Sequence, residues 1–175
     1  TVAPGNLFVP LVVERDGHAY VPAALEAGAG AYLSSVGRLD GTAADSTAIL
    51  VVDTAEALAG IGRIARERLE GGAVVGVTGS VGKTSMKDLA LAACAGAKTT
   101  HASEKSFNNE LGVPLTLANA PEGTEVAIVE MGARGKGHIA LLCGIARPTV
   151  GIVTAVALAH SELFGSIEGV AEAKG

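Results

Sequence analysis

Tryptophan is absent from this 175-residue sequence and aromatic residues make up 3% of it, so there is no platform on which successive bases could stack. Positive charge is scarce as well. Thirteen basic residues against 18 acidic ones give a formal net charge of −5, with an isoelectric point near 5.3, which excludes nucleic acid as an expected partner. Long apolar runs are also missing, although mean hydropathy is high at +0.42. The excess comes from alanine and valine, and uncharged stretches such as Leu89–Ala97 fall far short of the ~20 residues that a membrane span needs. The two cysteines, Cys94 and Cys143, form no Cys-x-x-Cys pair and lie in apolar helical patterns, as expected of reduced core thiols. No basic segment followed by an apolar one stands at the start, so a cytoplasmic protein is expected. With 49% hydrophobic residues, the chain can bury one large or two small cores.

The stretch with most chemical content is Thr78-Gly79-Ser80-Val81-Gly82-Lys83-Thr84. It follows the apolar run Ala73–Val77 and precedes a helical pattern over Met86–Ala95. A strand that ends in glycines and reopens as a helix with Lys-Thr forms a phosphate cradle. Its backbone N–H groups and the helix N-terminus hold a polyphosphate, the lysine neutralises charge, and the threonine hydroxyl can ligate Mg2+. Val77 stands where the strict eight-residue pattern has its first glycine.

Elsewhere the patterning alternates strand and helix. Before the cradle, Leu7–Val12 is a strand candidate with a proline, Val21–Ala27 a short helix closed by Gly28, and Ala31–Leu33 a second strand. Gly37–Thr47 is loop, Ala48–Val52 a buried strand, and a helix capped by Asp53 or Thr54 carries Leu58, Ile61, Ala65 and Leu69 on one face. Gly71-Gly72 then marks the domain boundary, giving units 1–71 and 72–175. Beyond the cradle, Thr99-Thr100 is a short strand and His101–Ser106 a polar loop. A helix over Asn109–Leu117 contains Pro114, Val126–Glu130 is a strand, and Met131–Gly137 a loop. His138–Ala146 is helical, Val150–Thr154 a strand, and a last helix begins at Ser166. Strands apolar on both sides that alternate with helices predict an α/β fold with a parallel sheet covered on both faces. Such sheets bind ligands beyond the carboxyl ends of their strands, where the cradle, Glu130 and His160 would emerge.

Glu130 closes an apolar strand, the position from which an acid helps to hold Mg2+ in P-loop enzymes. His160 follows Val150–Ala159 and belongs to the same edge, although imidazole is an uncommon Mg2+ ligand. Lys174, by its position among glutamates, is a solvated helix residue.

The cradle, together with Ser106-Phe107-Asn108-Asn109-Glu110-Leu111-Gly112-Val113-Pro114-Leu115-Thr116-Leu117, Glu130-Met131-Gly132-Ala133-Arg134 and Ile145-Ala146-Arg147-Pro148, resembles the Mur ligase family. The Phe-Asn-Asn-Glu-hydrophobic-Gly-Val-Pro run is the most specific part. It resembles the branch that joins D-alanyl-D-alanine to UDP-N-acetylmuramoyl-tripeptide. Pro4–Val9, Asp16-Gly17-His18 and Ala27-Gly28-Ala29 are similar to that branch's N-terminal domain, which holds the UDP end of the substrate. The resemblance implies a partial UDP-binding domain over 1–71 and a partial central ATP-binding domain over 72–175, with the C-terminal domain absent and this chain inactive by itself. The full-length protein would be a cytoplasmic monomer that makes peptidoglycan precursor, and so serves cell-wall synthesis, cell shape, and the cell cycle and division.

The implied site is specific. ATP would lie on Thr78, Gly79, Ser80, Val81, Gly82, Lys83, Thr84 and Ser85, with Asn108 or Asn109 reaching the phosphates. Lys83 would hold the β- and γ-phosphates, Thr84 and Glu130 would ligate Mg2+, and His160 would support a second Mg2+. Lys174 would be carbamylated, so that an amine becomes a carboxylate-like oxygen ligand. At Ala155 and Ala157 the sequence departs from the family's asparagine and glycine. Two other readings use the same cradle. One is a different P-loop NTPase, such as a kinase or a switch GTPase, although the sequence has no Asn-Lys-x-Asp for guanine. The other is a module that binds a nucleotide or UDP-sugar without catalysis.

Overall fold

The computed structural model describes residues 2–42, 46–69, 71–157 and 167–174. Two compact units are present, Thr1–Leu58 and Ala59–Gly175. The division falls inside a helix, ahead of the Gly71-Gly72 pair expected to mark it. Beyond Leu58 that helix contributes Ala59 and Ala65 to the core of the second unit, and Leu69 joins them just past its end.

The first unit has a parallel three-stranded sheet, order β1-β2-β3, from β1 (Leu7–Phe8), β2 (Ala31–Ser34) and β3 (Thr47–Leu50). Strand β1 stops well short of the expected Val12, because Pro10 lacks the amide that a ladder needs. A 3-10 turn over Gly17–Tyr20 leads into α1 (Val21–Glu26). Buried His18 anchors this turn. Its Nε2 accepts from the Ser35 amide at 3.2 Å, so the ring proton is on Nδ1 and is donated to Asp16 Oδ1 at 2.6 Å. The strand expected to be buried over Ala48–Val52 is corrected: β3 has one neighbour, Ile49 and Leu50 are exposed, and so is Val52 beyond its end. Helix α2 (Thr54–Arg68) follows, with Asp53 Oδ1 accepting from the Glu56 amide at 2.8 Å as an N-cap.

The second unit has a parallel four-stranded sheet of order β5-β6-β4-β7. Its strands are β4 (Ala73–Thr78), β5 (Thr100–Ala102), β6 (Val126–Glu130) and β7 (Val150–Val153). Side chains alternate across the sheet, and this explains the unbroken apolar runs. On one face, Val74, Ala127 and Val129 pack with Ala59 of α2 and Leu69 just past its end, Val113 and Leu117 of α4 (Gly112–Ala118), and Leu142 and Ile145 of α5 (His138–Ala146). On the other, Val75, Val77 and Ile128 pack with Met86, Leu91 and Cys94 of α3 (Lys83–Ala95). The final helix, α6 (Ile167–Lys174), buries Val170 against Ala133.

Two expectations in this unit change. Strand β5 extends through His101 and Ala102, which pair with Ala127 and Ile128 instead of opening a loop. His101 tolerates this place because its Nε2 donates to the Thr116 carbonyl at 2.9 Å. Helix α4 starts at Gly112 instead of Asn109, so Pro114 falls in its first turn, where a missing N–H costs nothing, and no kink results. Helix α3 begins at Lys83, as expected of a strand that reopens as a helix with Lys-Thr. Both cysteines are free and pack on the core clusters, and partial burial raises the pKa of the Cys143 thiol. Among the described residues no helix is long and apolar enough to cross a membrane.

Candidate active site

Parallel pairing places the cradle and Glu130 side by side. In the register of β4 and β6, Val77 lies opposite Glu130, so the last residues of both strands reach the same sheet edge. The chain then leaves β4 through Gly79, whose φ of 144° favours glycine. A Cβ at this position would stand 2.0 Å from Thr154 Oγ1. Gly82, also left-handed, precedes α3 and turns Lys83 and Thr84 into the helix's first turn.

Glu130 is 1% exposed, and each carboxylate oxygen takes one side-chain hydrogen bond. Thr84 Oγ1 donates to Oε2 at 3.0 Å, and Asn108 Nδ2 donates to Oε1 at 2.8 Å. A carboxylate has about four lone-pair positions, so acceptor capacity remains. Asn108 is held in turn by its backbone, whose carbonyl accepts from the Gly132 amide at 2.7 Å. A Cβ at Gly132 would lie 2.8 Å from Asn108 Oδ1, so this glycine makes room for the asparagine. Asn109 points elsewhere. Its Oδ1 accepts from the Leu111 and Gly112 amides at 3.3 and 2.8 Å, at the start of α4. The two adjacent asparagines therefore divide between site and scaffold.

These groups surround a cavity of about 380 Å³ lined by Gly82, Lys83, Thr84, Ser85, Ser106, Asn108 and Glu130. It is polar and open at the N-terminus of α3, where unpaired amides and the helix dipole favour anions. Lys83 Nζ donates to the Gly79 carbonyl at 2.8 Å, which folds the ammonium over the loop. For a cation the chemistry is that of hard oxygen donors. Among the described residues no three His, Cys, Asp or Glu side chains cluster to hold a metal, so a protein-only cage is absent there. Thr84 and Glu130 supply two oxygens 3.0 Å apart. Adjacent ligands of an octahedral Mg2+ stand about 2.9 Å apart, and such an ion takes its remaining ligands from phosphates and water. The residues present fit that group.

The loop is strapped to the segment after β7. Ser80 Oγ donates to the Ala157 carbonyl at 2.9 Å and accepts from the Ala157 amide at 3.0 Å, while the Ser80 amide donates to the Ala155 carbonyl at 2.8 Å. Thr154 Oγ1 adds a donation to the Val81 carbonyl at 2.6 Å. Ala155 and Ala157 thus meet the loop through backbone atoms. His160 lies outside the described residues, as does the side chain of Lys174, the penultimate residue of the sequence. Sequence reasoning missed Ser106, Thr154 and Gly132 as individual contributors. Of these, only Ser106 and Gly132 fall within the motifs that carry the family resemblance.

Residues 77–175 match the model of the Mur ligase middle domain. The chain belongs to the Mur ligase family. The UDP-N-acetylmuramoyl-tripeptide--D-alanyl-D-alanine ligase of Synechocystis is 42% identical to it over 175 aligned positions that cover 99% of this chain and 38% of that protein. The Bacillus subtilis enzyme of the same name is 41% identical over 170 residues, 97% of this chain and 37% of its own. Among solved structures, MurF from Acinetobacter baumannii superposes with a TM-score of 0.87 at 28% identity, covering 99% of this chain and 38% of that one. Thermotoga maritima MurF ligase in complex with ADP superposes with a TM-score of 0.80 at 36% identity, covering 99% and 40%. The chain thus spans less than half the length of these Mur ligase relatives.

Proposed function

We propose that this chain is the UDP-substrate and nucleotide-binding portion of an ATP-dependent ligase that joins D-alanyl-D-alanine to UDP-N-acetylmuramoyl-tripeptide in peptidoglycan precursor synthesis. The observation that carries the reading is the convergence of Thr84 and Asn108 on the buried Glu130 carboxylate, beside Lys83 in a polar cavity. The names of the relatives supply the substrates, and the ADP complex of the Thermotoga protein supports a nucleotide at the cradle.

The reaction proceeds through an acyl phosphate. An oxygen of the tripeptide's terminal carboxylate attacks the γ-phosphorus of ATP, and ADP leaves. The dipeptide's amine then attacks the acyl carbon, phosphate leaves with the carboxylate oxygen, and an amide forms. Lys83 leaves the Gly79 carbonyl for the β- and γ-phosphates and offsets the charge that accumulates on the transferring group. The amides of Gly79–Ser85 orient the phosphate chain, and Asn108 is the asparagine at the phosphates while Asn109 caps the neighbouring helix. Thr84 and Glu130 hold Mg2+, which supplies charge neutralisation when bound. His160 and carbamylated Lys174 complete the site. No side-chain nucleophile takes part, which agrees with a cavity lined by charge neutralisers and amide or hydroxyl groups. Residues 1–71 carry the UDP end of the substrate. The full-length enzyme is a cytoplasmic monomer, and its product serves cell-wall growth, cell shape and division.

Phosphate release by the full-length protein tests this. It should require ATP, UDP-N-acetylmuramoyl-tripeptide and D-alanyl-D-alanine together. Release that ignores either peptide substrate contradicts the ligase and favours a different P-loop NTPase.

A further inference from the structure

Lys87 is 6% exposed on α3, one turn beyond Lys83 and Thr84, and the proposed reaction gives it no role. A buried ammonium must recover in hydrogen bonds what it loses in hydration. Its Nζ donates to the Ser103 carbonyl at 2.9 Å and lies 3.1 Å from Asp88 Oδ1. Asp88 is 62% exposed, so the carbonyl is the partner inside the protein.

Ser103, 2% exposed, is a junction between elements. Its amide donates to the Ile128 carbonyl at 3.0 Å, which carries the β5–β6 ladder one residue past the end of β5. Its Oγ accepts from the Glu130 amide at 3.1 Å. Thr116 Oγ1 stands 3.2 Å from Ser103 Oγ and 2.8 Å from the Gly112 carbonyl. A threonine hydroxyl has one proton and a carbonyl can only accept, so that proton goes to Gly112 and the Ser103 hydroxyl donates to Thr116. The lone pairs of Ser103 therefore face the Glu130 amide. From Ser103 the chain also departs toward Ser106 and Asn108, both of which line the cavity.

We propose that Lys87 is a positioning residue: by fixing Ser103 it sets the orientation of the Glu130 carboxylate and of Asn108, and so tunes the affinity of the site for the divalent cation that accompanies ATP. This rests on the reading of the cavity as a Mg2+–nucleotide site. A lysine that merely fills space would be replaceable by methionine without any effect on metal binding. Supporting residues of this kind change metal affinity by about 10–100-fold when lost.

The test measures ATP binding to the full-length protein across a Mg2+ titration and in EDTA, for the wild type and for Lys87→Met, Lys87→Gln and Ser103→Ala. In Lys87→Met, half-saturation by Mg2+ should rise about tenfold, while ATP affinity in EDTA stays within about twofold of wild type, a loss no larger than a bystander residue would cause. Lys87→Gln keeps a donor for the Ser103 carbonyl and should recover part of the loss, and Ser103→Ala should reproduce it. Hydrogen exchange at the Glu130 amide should quicken in Lys87→Met. Unchanged Mg2+ half-saturation in Lys87→Met, or an equal loss of ATP affinity with and without Mg2+, overturns the positioning role. If Lys87→Met does not fold, unchanged half-saturation in Lys87→Gln together with Ser103→Ala overturns it instead. Wild-type ATP binding that is indifferent to Mg2+ overturns the reading of the site, and the role of Lys87 with it.

Discussion

Thr84 Oγ1 and Glu130 Oε2 lie 3.0 Å apart although 46 positions separate them in the chain. Parallel pairing of β4 with β6 brings them together, since Val77 and Glu130 are partners in that register. Removing the charge while keeping the shape isolates its role. Glu130→Gln is expected to leave ATP binding in EDTA intact and to abolish its enhancement by Mg2+, measured by calorimetric titration of the full-length protein.

The neighbouring asparagines should separate experimentally. Asn109→Ala loses the acceptor for two helix-entry amides, and by analogy with N-caps it should destabilise the fold by about 1 kcal/mol in urea denaturation while sparing ATP binding. Asn108→Ala should do the reverse, with a small change in stability and weakened Mg2+–ATP binding. Equal effects of the two substitutions on nucleotide binding would show that the division between site and scaffold is wrong.

Gly79 carries both a steric and a conformational demand. Gly79→Ala places a methyl 2.0 Å from the Thr154 hydroxyl and forces a left-handed φ on an alanine. Its cost is about 1–3 kcal/mol or more. Adding Thr154→Ala should recover only part of the lost stability, because the backbone strain persists. Full recovery in the double variant would assign the whole effect to the clash.

At the other end of the sheet, Lys98 Nζ and Glu125 Oε1 are 2.7 Å apart, and Glu125 Oε2 accepts from the Thr99 amide at 3.0 Å. The Lys98 hydrogen bond, then the Thr99 amide, lowers the Glu125 pKa, and the Glu125 hydrogen bond raises that of Lys98. The glutamate's contribution is therefore present above its unfolded pKa and lost as pH falls through the lowered folded value. The lysine's is present below its unfolded pKa and lost as pH rises through the raised one. Melting temperatures of wild type and Glu125→Gln should differ most between about pH 5 and 10 and converge as pH falls through the lowered folded pKa of the glutamate. Both groups are exposed, so the difference should be small and should shrink in high salt.

How much of this was legible in the sequence depends on where each residue's partner lies. The cradle was legible because its glycines, Lys83 and Thr84 act locally, and Glu130 because an acid closing an apolar strand of a parallel sheet must reach the ligand edge. Adjacent Asn108 and Asn109 could not be told apart, since their difference is one of direction. Lys87 on a helix surface pattern and Ser103 in a polar stretch gave no signal, because the bond between them exists only once α3 packs on the sheet. The exposure of β3 was hidden for the opposite reason: an apolar strand looks buried whether or not a neighbour covers it.

The measurement that bears most directly on the central claim is the shift in melting temperature of the full-length protein with ATP or GTP in the presence of Mg2+. Specific binding at 100 times Kd stabilises by about 2.7 kcal/mol. The account predicts stabilisation by ATP that Lys83→Ala removes. Stabilisation by GTP without stabilisation by ATP, or an ATP shift unaffected by Lys83→Ala, would contradict it.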